Sequence, residues 1–160
     1  MLINDTAQKS SCFESLSPIQ QYELEAYVTG LIQGSLAYED TFTVPDLVGG
    51  KFRNWGMTPL EYIYRYHYAK KAKEVVKEKI KDKISLEEMK KLTNEIGKLA
   101  EIEAGKDVGR IVKYIMSIDK ARYYKVVGTE QRRYPINVYA LVDIKLKTED
   151  EDPIIWGLNF

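Results

Sequence analysis

Apolar residues recur at helical spacing through the first two thirds of the chain and switch to strict alternation only near its end. In LSPIQQYELEAYVTGLIQG, Leu24, Tyr27, Val28, Leu31 and Ile32 share one helical face. Ser17, Pro18 and Gln20 form a capping-box start and Gly34 a stop, so a helix over 17–33 is predicted. Thr41 to Val44 reads as a short β-rich run ended by Pro45, then a turn of helix through Asp46 to Val48 closed by Gly49 and Gly50. Residues 51–57, KFRNWGM, read as a loop with two aromatic anchors, Phe52 and Trp55. Thr58, Pro59 and Glu61 repeat the capping box, and two periods compete beyond them. Tyr62, Tyr64, Tyr66 and Tyr68 alternate as a strand would, whereas Leu60, Tyr64, Tyr68, Ala72, Val75 and Ile80 fit a helix. The cap and the Ala/Lys/Glu-rich continuation favour the helix. A third box, at Ser85 and Glu88, opens a stripe of Leu86, Met89, Leu92, Ile96 and Leu99 running to about Glu103. Gly105 is expected to separate it from a further short helix, with Val108, Ile111, Val112, Ile115 and Met116 facing inward.

The β signal is clearest after Asp119. ARYYKVVG and PINVYALVDIKLK are rich in Val, Ile and Tyr. In the second run Ile136, Val138, Ala140, Val142, Ile144 and Leu146 alternate with Asn137, Tyr139, Asp143 and Lys145. The polar TEQRRY lies between them, bracketed by Gly128 and Pro135, so an antiparallel hairpin with a basic tip is predicted. The fold class expected is α+β, mostly helical first and hairpin last. Residues 1–16 are read as a flexible arm, 17–147 as one domain and 148–160 as an acidic tail.

Composition narrows the class of protein. A chain of 160 residues, 44% apolar, suffices for one domain core. No run approaches the roughly 20 apolar residues of a membrane helix, and MLINDTAQKSSCF lacks the basic-then-apolar pattern of a secretory signal. Cytoplasmic is therefore the expected compartment. Formal net charge is zero, but its distribution is uneven. Residues 1–48 carry Lys9 alone against seven acids, and from Lys106 to Arg133 eight cations face Asp107, Asp119 and Glu130.

Counting donor residues discourages catalysis. Cys12 is the only cysteine and His67 the only histidine, so no internal disulfide, thiolate or His-based metal site, or serine-type triad is expected. DLVGGKFRNWG has neither glycine-rich phosphate-binding pattern. Glu87 with Glu88 and Glu101 with Glu103 lie on Lys-rich helices, where i,i+4 pairing accounts for them. A metal-dependent nuclease would need acids converging near a lysine, and the hairpin supplies only Asp143 and Lys145. No enzyme and no cofactor is expected.

A short helix bearing Lys106, Arg110 and Lys113, four and three residues apart and so on one face, leads into a hairpin bearing Lys120, Arg122, Lys125, Arg132 and Arg133. This order resembles the recognition helix and wing of the winged-helix DNA-binding superfamily, and the helix, strand and short helix over 17–49 are similar to that family's opening. The resemblance is architectural and covers about two thirds of the chain, with the helices from Thr58 to Glu103 as an insertion. It implies double-stranded DNA as partner, the eight cations as phosphate contacts, and a regulatory role of bacterial, plasmid or phage type. The alternatives are a protein-interaction adaptor and, behind it, the nuclease. The 85–103 helix is a candidate homodimer contact, and Trp156 and Phe160 of PIIWGLNF are candidates for binding a protein partner. That tail loosely resembles the acidic, Phe-terminated tail of bacterial single-stranded-DNA-binding proteins, although it is also able to fold back on the core.

Overall fold

The computed structural model describes residues 1–49, 55–79, 83–142, 144–145 and 154–155. Its elements are α1 (Ser11–Ser15), α2 (Pro18–Leu36), β1 (Thr41–Phe42), α3 (Val44–Val48), α4 (Glu61–Lys79), α5 (Leu86–Ile118), β2 (Tyr123–Gln131), β3 (Pro135–Val142), β4 (Ile144–Lys145) and β5 (Ile154–Ile155). The fold is α+β with an antiparallel three-stranded sheet. No helix among the described residues is long and apolar enough to cross a membrane. The chain divides into two compact units: Met1–Gln8, Val28–Gly50 and Val112–Phe160 form a sheet unit, and Lys9–Tyr27 with Lys51–Ile111 form a helical unit.

In the sheet unit β2 and β3 make the expected hairpin, and β1 joins the far edge of β3, giving the order β1-β3-β2. The ladder shifts register between Val126 and Gly128, so Val127 sits in a bulge. The dense face of the sheet is an aromatic one. Phe42 and Val126 both oppose Tyr139, which places Phe42, Tyr124 and Tyr139 on one side. The Phe42 ring stacks on Tyr139 at 5.7 Å and meets Tyr124 edge-on at 6.2 Å. Ile136, Val138 and Ala140 are only half-buried. Tyr139 is tolerated inside because its hydroxyl donates to Asp5 at 2.9 Å, so the polar end of the ring has a partner.

Residues 1–16 do not form a free arm. Ile3 N–H donates to the Tyr124 carbonyl (2.9 Å) and Tyr124 N–H to the Met1 carbonyl (2.8 Å). The Asn4 amide then copies a backbone pair, donating to the Val126 carbonyl and accepting from Val126 N–H. The outer edge of β2 is thereby covered at these positions. Further on, the Ser10 hydroxyl caps α1 at Phe13 N–H, and Cys12 and Phe13 are buried. The tail also returns: Ile154 and Ile155 of β5 pair with Lys145 and Ile144 of β4.

Asp5 is the polar anchor of the sheet unit. It takes Lys113 Nζ at 3.0 Å, the Tyr139 hydroxyl, Asn137 Nδ2 at 3.3 Å and Thr6 N–H at 2.8 Å. Burial pushes its carboxyl up, but the Lys113 ammonium, the Tyr139 hydroxyl and Thr6 N–H outweigh that and hold it below the usual range. A carboxyl lowered by folding adds stability above its unfolded pKa, and that stability is lost as pH falls through the folded value. Urea midpoints are therefore expected to hold near neutrality and fall in acid, and Asp5→Asn to lower the neutral midpoint and weaken the acid dependence. An Asp5→Asn profile parallel to wild type would contradict this.

In the helical unit two of three predicted capping boxes form. Ser17 with Gln20 and Ser85 with Glu88 exchange both bonds, at 3.1 to 3.4 Å. At Thr58 the hydroxyl instead donates to the Trp55 carbonyl at 2.7 Å, and Glu61 reaches back to Met57 N–H, so α4 starts at Glu61. The tyrosine run is helical, but its buried side is Ile63 and His67, with Tyr64 and Tyr68 half-buried. Helix α5 passes through Gly105 unbroken to Ile118. Ala100 and Ala104, fully buried, join Ile96 to Val108 at four-residue steps, and a glycine in such a helix costs only about 1 kcal/mol.

Candidate functional site

The eight cations expected to form one surface fall into both units. Lys106 and Arg110 belong to the helical unit, where they pair with Glu103 and Asp107, each at 3.6 Å. The other six belong to the sheet unit. There Lys113 is held by Asp5 and Arg122 by Asp119 at 3.5 Å. Arg132 reaches Asp46 Oδ2 at 2.8 Å and Glu130 Oε1 at 3.0 Å. These two acids raise its pKa further above the ordinary guanidinium value, and Arg132 in turn lowers that of Asp46. Lys125 is half-buried. Lys120 and Arg133 form no ion pair among the described residues and are exposed.

The hairpin puts Arg133 at its outermost point. Residues 128–135 are all exposed, and Arg132 N–H to the Tyr134 carbonyl closes the turn. The Arg133 guanidinium lies 6.0 Å over the Tyr134 ring, which is itself 65% exposed. An arginine beside an uncovered aromatic ring offers a planar donor to phosphate and a stacking surface to a base or sugar. The partner residues Trp156 and Phe160, and Asp143 of the nuclease expectation, lie outside the described residues. The stripe on α5 is split, with Ile96 buried and Leu86, Met89 and Leu99 exposed.

A second group was invisible to residue counting. Among the described residues one trio of metal-capable side chains comes together: Cys12, His67 and Asp107, with one ligand atom of each within 4.8 Å of the others. Three elements supply them, α1, α4 and α5. His67 Nε2 is 2.9 Å from Asp107 Oδ2, and the Ser10 hydroxyl donates to Asp107 Oδ1 at 3.2 Å. Exposure is 1% at Cys12, 8% at His67 and 7% at Asp107, which closes the group to a bulky substrate. Burial, with Asp107 alongside, pushes the Cys12 thiol up to about 12, so it is a neutral thiol rather than a ready nucleophile. The sequence carried no signal for the group, because Cys12 falls in the segment read as an arm and the helix that buries it is only five residues long.

No family model, curated protein or solved structure matches this chain.

Proposed function

We propose that the sheet unit is a winged-helix-like DNA-binding module that presents its hairpin tip to the backbone of double-stranded DNA, with a regulatory role. The observation that carries this reading is the exposed tip formed by Arg133 against Tyr134. Two features support it. The segment from Lys120 to Tyr134 holds five cations against Glu130 alone. The C-terminal turn of α5 leads through residues 119–122 straight into β2, and the sheet order is β1-β3-β2. The ion pairs of Lys113 and Arg122 limit how much charge is on offer. Lys120, Arg133 and Arg132, if the last exchanges Asp46 for phosphate, are the contacts assigned. The adaptor reading, with the Tyr-rich segment at residues 62–68 or the tail as contact surface, has less to draw on, since Tyr62, Tyr64, Tyr66 and Tyr68 are each half-buried.

About three phosphate contacts correspond to a log–log salt slope near −3, since each contributes about −0.9 on B-DNA. Titration of a duplex at several salt concentrations is expected to give weak binding with that slope. Arg133→Ala is expected to weaken binding to all sequences alike and to make the slope shallower by about 1. Absent or salt-insensitive binding removes the proposal.

A further inference from the structure

We infer that Cys12, His67 and Asp107 form a structural binding site for a zinc-type divalent cation, with the Ser10 hydroxyl or a water as fourth ligand, independently of the DNA reading. Thiolate, imidazole and carboxylate are the three donor types zinc takes from proteins, at about 2.0–2.3 Å. Around a tetrahedral ion those lengths put ligand atoms roughly 3.3–3.8 Å apart. The three atoms here lie within 4.8 Å of one another, and His67 Nε2 and Asp107 Oδ2 at 2.9 Å need separate by only a few tenths of an ångström. Small side-chain rotations therefore bring the set around an ion.

Charge and burial point the same way. A divalent ion with one thiolate, one carboxylate and a neutral imidazole has zero net charge, which is what a dry interior demands. Binding sends the Cys12 proton to solvent and the proton of the His67–Asp107 hydrogen bond to the imidazole Nδ1, so that this bond is exchanged for two metal bonds and the imidazole stays neutral. The Cys12 sulfur accepts and donates no hydrogen bond among the described residues and is 1% exposed, so it faces the cluster without a partner of its own. Near-complete burial of all three ligands matches a closed structural site, and an ion there ties α1 to α4 and α5 within the helical unit.

The test is cobalt(II) titration of the chelator-stripped, full-length chain. Cys12 is the only cysteine, so a thiolate-to-cobalt charge-transfer band can arise from no other residue. One cobalt per chain is expected, with that band, the intense visible absorption of tetrahedral cobalt, and displacement of both by zinc. His67→Gln and Asp107→Asn are expected to lose the band or weaken cobalt binding markedly. A wild-type chain that is folded by circular dichroism yet gives no band overturns the site. So does a band of unchanged affinity in both variants, because the thiol would then be capturing metal without its neighbours.

Discussion

Asp107→Ala is expected to lower the unfolding free energy by about 3 kcal/mol with a chelator present throughout, in keeping with leaving two buried polar partners without their acceptor. Asp107 is 7% exposed and accepts two bonds, from the Ser10 hydroxyl and from His67 Nε2. Alanine leaves both partners in an interior where an unsatisfied polar group costs about 1–3 kcal/mol. It also removes the nearest acid from Arg110, but that pair is solvent-screened on the arginine side and adds little. Asp107→Asn keeps the shape and one acceptor oxygen, so its loss should be about half as large. Ser10→Ala in the Asp107→Ala background should cost less than in wild type, because the hydroxyl has already lost its acceptor. Guanidinium unfolding of wild type, the three single variants and the double variant measures these differences. A loss under about 1 kcal/mol for Asp107→Ala would mean that water already satisfies His67 and Ser10, and the cluster would then be no dry network.

Phe42→Ala is expected to destabilise the sheet unit by about 3–5 kcal/mol, the range for truncating a buried aromatic ring. Phe42 is 4% exposed, and its ring touches both Tyr124 and Tyr139. Because β1 is only two residues long, the ring is most of what fastens it to β3. Tyr22→Ala is the matched control: Tyr22 is 71% exposed, and its loss should stay within about 0.5 kcal/mol. Tyr124→Phe separates ring from hydroxyl. It removes one bond to Asp119, 2.9 Å long, and should cost about 1 kcal/mol. If Phe42→Ala fell within the control range, the aromatic face would not be the core of this unit.

Local signals in the chain carried the element order well. The Val, Ile and Tyr runs on either side of the polar segment between Gly128 and Pro135 anticipate the hairpin, and the Ser17 and Ser85 boxes anticipate the starts of α2 and α5. Misreadings arose where packing overrides a local rule. Ala100 and Ala104 carry little hydrophobic weight, so the continuous buried stripe of α5 passes unseen and Gly105 reads as a break. On β3 the alternation separates two faces without fixing which is buried, and a partner at Asp5 lets the large Tyr139 take the inner side. The buried trio and the Ser10 that supports it depend on contacts between residues 40 and 97 positions apart, and no window along the chain spans them. Of the basic set, the run of cations and the neighbouring Asp107, Asp119 and Glu130 were legible, but two distant acids were not: Asp5 and Asp46 lie far away in sequence from the Lys113 and Arg132 they hold.

The functional reading stands on where duplex DNA touches the molecule. Amide chemical-shift mapping of the isotope-labelled chain against a short duplex at low salt measures that contact directly. The expected result is perturbation concentrated at Gln131 to Tyr134 and at Lys120 to Arg122, much reduced in Arg133→Ala. Perturbation confined to other elements, or none at saturating duplex, would contradict it.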